Sequence, residues 1–264
     1  MARLLLCLLL LLGLGAAGAA AQPAGQRFVS VAFHDVDNKA GELESDSVTT
    51  KVLAQFFDWV KGDGWTAISL DDVAAARAGR RPLPDKAILI TFDDGYRSLY
   101  THVYPLLQVY RFPIVAALVG SWLDAPMDGT VQYGDRTVPR ANFISWAEAR
   151  EMQASGLVEF ASHSWNLHRG ILANPQGNMT PAAITWRYDE ATRTYETDAQ
   201  KAARLTLLAS AGYNPIFAVG FLMADTVSKV STEYPDVTFG GIDEFFATPI
   251  PNVVGLNFRE QEAG

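Results

Sequence analysis

Two carboxylates stand side by side in Thr91-Phe92-Asp93-Asp94-Gly95-Tyr96. Adjacent like charges resist double ionisation. A divalent cation bound by one acid leaves the other free to act as a base. Gly95 lets the backbone turn sharply. Taken alone, Asp-Asp-Gly is also an ordinary solvated turn. Its position argues for more. It follows Ala87–Phe92 (AILITF), a continuous apolar run of the kind that forms a strand buried on both faces. Parallel α/β folds carry their sites at the C-terminal ends of such strands.

The second group is Ser162-His163-Ser164-Trp165-Asn166-Leu167-His168-Arg169-Gly170. Its histidines are five apart. On a helix they would diverge by about 140°, and on a strand they would face opposite ways. They converge only if the segment turns, and Asn166 and Gly170 suit a loop. Two histidines and one aspartate make a facial site for zinc or another first-row metal, with positions left for water and substrate. Two unrelated surface histidines is the plainer alternative.

His34, in Phe33-His34-Asp35-Val36, ends another apolar run. It can serve as a general acid. It can equally be a packed histidine hydrogen-bonded to Asp35. His102, inside a helical pattern, reads as structural. Trp122, Tyr133, Trp146, Trp165, Trp186 and Tyr188 crowd residues 120–190. Such rings stack on sugar faces, but they also fill cores.

These residues need a scaffold. Residues 27–33 predict a strand. Ser47–Lys61 predicts an amphipathic helix stopped by Gly62 and Gly64. Trp65–Leu70 is a strand, and a short Ala-rich helix starts at Asp71. Tyr100–Tyr110 is a helix and Ile114–Val119 a strand. Residues 120–142 read as a polar loop. Ser145 opens a helix with a capping-box pattern at Glu148. Leu157–Ala161 is a strand, and residues 162–198 are mostly irregular. The alternation predicts an α/β class with a largely parallel sheet, open or closed into a barrel.

Composition agrees. The chain has 264 residues, 49% of them apolar, so one or two domains with a real core are affordable. The net charge of −8 argues against nucleic acid or an anionic membrane surface as partner. The single cysteine, Cys7, excludes intramolecular disulfides and Cys-based zinc sites. Residues 1–21 read as an export signal, with Arg3, an apolar stretch Leu4–Leu14 and a small-residue end at Ala19-Ala20-Ala21. That stretch is shorter than the about 20 residues a spanning helix needs. A secreted or periplasmic location follows, with no integral membrane segment after signal cleavage.

Several words together resemble the polysaccharide deacetylase family, the NodB-like carbohydrate esterases. The likeness is strongest to its exported branch acting on poly-β-1,6-N-acetylglucosamine. They are FHDV (33–36), TFDDGY (91–96), GSWL (120–123), VQYGD (131–135), the stretch 145–170 and ANPQGN (173–178). The resemblance covers about 28–203. It implies a deformed (β/α) barrel and a metal-dependent N-deacetylase. It implies Asp93 as base, Asp94, His163 and His168 as metal ligands, and His34 as general acid. Trp165, Tyr96 and Asn166 are the expected substrate contacts. The cation would be Zn, Ni, Co or Fe(II), the substrate an N-acetylglucosamine polysaccharide, and an exopolysaccharide export machinery a further partner.

The family's later Trp-Pro-Tyr-Gly-type motif and the charged motif after it are not found. Instead, GYNPIFAVGF (212–221), EYPDVTFGGID (233–243) and PNVVGLNFREQEAG (251–264) resemble part of the basic membrane protein / purine-nucleoside-binding lipoprotein family. The expected organisation is therefore a signal (1–21), an incomplete deacetylase barrel (22–203) and a βαββ segment of foreign appearance (204–264).

Overall fold

A computed structural model describes residues 27–39, 47–183 and 186–256. The expected signal, 1–21, and the end of the last word, 257–264, lie outside the described residues. The strands in chain order are β1 (Val29–Phe33), β2 (Asp35–Val36), β3 (Ser47–Val48), β4 (Thr66–Ala67), β5 (Ala87–Phe92), β6 (Ile114–Leu118), β7 (Thr130–Tyr133), β8 (Arg136–Pro139) and β9 (Val158–Ser162). Then come β10 (Gly170–Leu172), β11 (Met179–Pro181), β12 (Tyr188–Asp189), β13 (Thr194–Tyr195), β14 (Ile216–Val219), β15 (Phe239–Ile242) and β16 (Val253–Leu256). The α-helices are α1 (Thr50–Gly62), α2 (Leu70–Arg77), α3 (Tyr104–Tyr110), α4 (Gly120–Asp124), α5 (Trp146–Ala154), α6 (Asp198–Ser210) and α7 (Ala224–Glu233).

The main sheet is parallel, in the order β1-β5-β6-β9, with β4 joined to β5. It stays open among the described residues, as expected of a deformed, incomplete (β/α) barrel. β5 is its hub, buried at five of six positions. The core beneath it joins Leu53, Phe57 and Val60 of α1 to Ile88, Ile90 and Phe92 of β5 and Ile114 and Ala116 of β6. Every parallel strand of this sheet points its C-terminal end the same way. The loops after β1, β5, β6 and β9 therefore share one rim.

Local chemistry explains most element ends. Thr49 caps α1 by accepting from the Val52 N–H. Ser69 and Asp72 form a capping box on α2, so the strand expected from Trp65 to Leu70 shrinks to β4. The box expected at Ser145 and Glu148 opens α5. The helix expected from Tyr100 to Tyr110 starts as a π-helical turn, Leu99–Val103, before α3. Pro105 has no N–H for the α-ladder, and the Tyr104 N–H reaches back to the Leu99 carbonyl.

One expectation needs correction. Residues 120–142 are no plain loop: they form α4, the β7–β8 hairpin and a short 3-10 turn, Arg140–Asn142. The hairpin turns on Gly134-Asp135, with Gly134 at positive φ, a recognised two-residue turn signal. Residues 162–198 are mostly irregular, as expected, and hold two short hairpins, β10–β11 and β12–β13.

The C-terminal strands form a separate parallel sheet, β14-β15-β16, with α7 between its first two strands. Its core joins Ile216, Ala218, Val227, Val230 and Phe239 to Leu205 and Ala209 of α6. The expected boundary at 203/204 therefore falls inside a continuous helix. Under this sheet Glu244 is fully buried, lies over Gly241, and has no hydrogen-bond partner on either oxygen. Burial, helped by the neighbouring Asp243 charge, pushes its carboxyl up to about 8. The folded chain then holds a proton that the unfolded chain releases near the ordinary value of 4.5. This contribution is complete below the ordinary value and is lost as pH rises through the folded-state value. Denaturant unfolding should show stability falling from pH 5 to pH 9, with Glu244→Gln removing much of that slope.

Candidate metal centre at the sheet rim

Chain direction delivers the first ligands. β5 ends at Phe92, and the Asp93 N–H donates to the Phe33 carbonyl at 2.8 Å, which sets the acidic pair beside His34. Asp94 and Gly95 both take positive φ, 71° and 75°. This double left-handed turn swings the Asp94 side chain beneath the rim, where it is fully buried. Gly95 is required twice over: its φ is one that side-chain-bearing residues rarely adopt, and a Cβ there would lie 2.7 Å from Leu118 Cδ2.

The second delivery comes from β9. The His163 N–H donates to the Leu118 carbonyl at 2.8 Å, and Ser164 turns the chain at φ 71°. The Ser164 hydroxyl accepts from the Leu167 N–H, closing the loop that the five-residue spacing demanded. His163 Nε2 and His168 Nε2 end 3.3 Å and 3.1 Å from Asp94 Oδ1. The three ligand atoms lie within 4.8 Å of one another.

Clamps hold His168 and Asp94. The Gly134 N–H donates to the His168 carbonyl at 3.0 Å, and the Gly170 N–H to the Gly134 carbonyl at 2.6 Å. The tip of the β7–β8 hairpin is thereby stitched to the second histidine. The rings of Tyr133 and Trp122 pack on His168, at 4.8 Å and 5.3 Å between centroids. The Tyr133 hydroxyl donates to Asp94 Oδ2 at 3.2 Å. Arg140, fully buried, donates to the carbonyls of Leu123, Phe143 and Ile144. That pins the segment whose Ile144 N–H donates to the Gly95 carbonyl.

The donor set fits a cation. Asp94 Oδ1 is buried without a hydrogen bond and faces two imidazole nitrogens. A carboxylate oxygen and the unprotonated nitrogens of two imidazoles present lone pairs toward one point, a donor set that a divalent ion satisfies. Burial works against the Asp94 charge and is the largest single influence. The His168 ring and the charges of His168, His163 and His34 outweigh it and hold the carboxyl below its ordinary value. His168 is raised, by its contact with Asp94 against the opposing effect of burial.

The other sequence-derived residues gather at the same rim. Asp93 and His34 are half-buried. Their charges act on His168 and Asp94 respectively. The Asp35 carboxylate accepts from the Val36 N–H and the Ser98 hydroxyl. Trp165 is 62% exposed, with its ring over Gly120, where a Cβ would lie 2.6 Å from the indole. Asn166 is half-buried in the same turn. Tyr96 packs into an aromatic cluster with Tyr133 and Phe143. His102 sits in the π-helical turn, apart from the cluster. Sequence reasoning offers Tyr133 only as an aromatic ring, not as a hydrogen-bond donor to Asp94, and does not single out Arg140. The Gly134-Asp135 turn signal could have found the hairpin, but nothing local announces its contact with Asp94.

The polysaccharide deacetylase profile matches residues 80–216, just over half of the chain. The chain belongs to the polysaccharide deacetylase family. Among curated members of this family, the poly-β-1,6-N-acetyl-D-glucosamine N-deacetylase of Escherichia coli K12 is 42% identical over 180 residues. That match takes in 68% of this chain and 27% of the relative, so the chain spans about a quarter of that protein's length. The Staphylococcus aureus enzyme of the same name is 24% identical over 127 residues, 48% of this chain and 40% of its own. Among solved deacetylases, the de-N-acetylase of Aggregatibacter actinomycetemcomitans superposes with TM-score 0.65 at 30% identity, over 87% of this chain and 94% of that one. The BpsB deacetylase domain of Bordetella bronchiseptica gives 0.62 at 33% identity, over 89% and 97%. No helix among the described residues is long and apolar enough to cross a membrane.

Because protons on His168 compete with a metal for the same nitrogen, zinc affinity should fall as pH drops through the raised His168 value. Calorimetric titration between pH 6 and 8 reads this as proton release on binding. In the same assay Asp94→Asn should abolish binding. Tyr133→Phe should weaken it about fivefold, the worth of one hydrogen bond of about 1 kcal/mol.

Proposed function

We propose that the chain is an exported, metal-dependent N-deacetylase acting on an N-acetylglucosamine polysaccharide. The observation that carries this reading is the buried Asp94 carboxylate facing His163 and His168, with a second acid and a third histidine at the same rim. Asp94, His163 and His168 would hold the cation, which can be Zn, Ni, Co or Fe(II). A bound cation supplies polarisation of the amide carbonyl and lowers the pKa of water toward about 7.

The reaction consumes one water and one amide, and yields acetate and a free amine. Asp93, adjacent to the ligand but not part of the trio, takes a proton from the attacking water. His34 gives a proton to the departing amine. The Asp93 N–H bond to the Phe33 carbonyl sets the acid beside His34, and the neighbouring Asp35 carboxylate is engaged by Ser98. Trp165 offers an exposed face for a sugar ring, with Tyr96 and Asn166 as flanking contacts.

The sequence likeness to the Escherichia coli enzyme supports the polymer assignment, and an exopolysaccharide export machinery is the further partner of this reading. The signal-like residues 1–21 support a secreted or periplasmic location. The separate sheet of the C-terminal strands supports reading the tail, expected as 204–264, as a distinct segment, although the helix Asp198–Ser210 and the family profile both run across the end of the expected deacetylase region, 22–203. A second reading, glycan binding without turnover, draws on the missing Trp-Pro-Tyr-Gly-type motif.

Acetate release from N-acetylglucosamine oligomers, with and without Zn²⁺, Ni²⁺ and Co²⁺, tests the proposal. Asp93→Asn and His34→Ala should each keep the metal and lose at least about a hundredfold in kcat. Equal release by wild type and Asp93→Asn would sink the roles assigned. Saturable glycan binding with no release would favour the second reading.

A further inference from the structure

Beside the metal trio the surface opens into a cavity of about 440 Å³, of which His168 forms one wall. Its size falls within the range of about 300–1,000 Å³ typical of ligand pockets. Trp165, Tyr96 and Asn166 take no part in it. Its other walls come from two hairpins. Asp135 belongs to the β7–β8 turn, Met179 and Pro181 belong to β11, and Leu167 and Arg169 flank the histidine itself.

Three features give this cavity a ligand class. First, its surface is more apolar than polar, and Leu167, Met179 and Pro181 are among the lining, which suits the C–H face of a pyranose. Second, Asp135 and Arg169 are both exposed and have no ion pair or side-chain hydrogen bond among the described residues. One can only accept and the other can only donate, and a sugar presents hydroxyls to both. Third, the cavity is rigidly tied to the metal ligand. The Gly134 and His168 backbones are bonded directly, Gly170 bonds back to Gly134, and the Ala182 N–H donates to the Arg169 carbonyl at 2.9 Å. Such a pre-formed wall costs little ordering on binding.

We infer that this cavity is a second sugar subsite: it holds the hexosamine unit next to the one being deacetylated. The inference rests on the deacetylase reading. A chain whose scissile acetamide sits at the trio continues past His168 into the space between the two hairpins. Leu167 and Met179 pack against the ring, while Asp135 and Arg169 hydrogen-bond its hydroxyls. The cavity thereby makes the enzyme prefer a polymer over a single sugar, independently of the groups that perform the hydrolysis.

Met179 is exposed at the cavity mouth, so Met179→Arg blocks the space without disturbing the core. Asp135→Ala removes the acceptor alone. The readout is the ratio of kcat/KM for a β-1,6-linked N-acetylglucosamine tetramer to that for a single-sugar substrate. Met179→Arg should lower this ratio about tenfold or more, and Asp135→Ala about fivefold. A ratio unchanged in both variants overturns the inference.

If wild type hydrolyses neither substrate, the deacetylase reading has failed and binding decides the subsite on its own. In that case the zinc-loaded protein is titrated with the fully deacetylated tetramer. Affinity at least about tenfold weaker in Met179→Arg supports the subsite. Equal affinity in wild type and variant, or no binding by wild type, overturns it.

Discussion

A carboxylate buried at the end of the central strand is the constraint on which the rest of this structure depends. Taking a charge out of water is costly unless partners compensate it. Asp94 is fully buried, yet only one of its oxygens has a hydrogen-bond donor, the Tyr133 hydroxyl. The other faces two imidazoles. Nearly everything at the rim serves to keep those groups in register: the left-handed turn at Asp94-Gly95, the Ser164 turn, and the hairpin bonded to His168. A buried carboxylate oxygen turned toward two imidazole nitrogens is the arrangement a cation site would use.

Rigidity at the rim comes from an unusual source. The loops after β6 and β9 are long, and long loops are ordinarily mobile. Here they are folded back on themselves as α4 and the hairpins, and laced together by backbone bonds from Gly134 to His168 and Gly170 and from Ser121 to Trp165. Arg140 contributes by burying a guanidinium against three carbonyls with no carboxylate among its hydrogen-bond partners. Its position ties the end of α4 to the segment bearing Ile144, which in turn holds Gly95. First-row metal chemistry tolerates little drift in its ligands, and this lacing limits drift without a disulfide.

Two of the hydrophobic cores among the described residues contrast. The main one surrounds β5 and carries the site at its rim. The second gathers α6, α7 and three parallel strands. It encloses a carboxylate without partners, Glu244, held neutral by burial. In the first core the buried acid is compensated by neighbours. In the second it is compensated by a proton. That difference divides a site built to bind from a segment whose stability depends on pH.

The α/β class, the strand Ala87–Phe92, the capped helix at Ser145, and the acids and histidines that meet were all legible in the residues. Each rests on a local signal: an unbroken apolar run, a capping pair, or a chemistry-bearing residue placed at a strand end. The hairpins within 120–142 and 162–198 were less legible, since their strands are only two to four residues long, too short for a periodic signal. The closure of His163 and His168 on Asp94 was only half written. Their spacing required a turn, but the turn's direction depends on hydrogen bonds to Leu118 and Gly134, residues far away in the chain. The same holds for Tyr133, Arg140 and the cavity beyond His168. Residue types determined what chemistry this protein could hold. Which of those residues meet was decided only when distant backbone groups had to satisfy one another across the sheet rim.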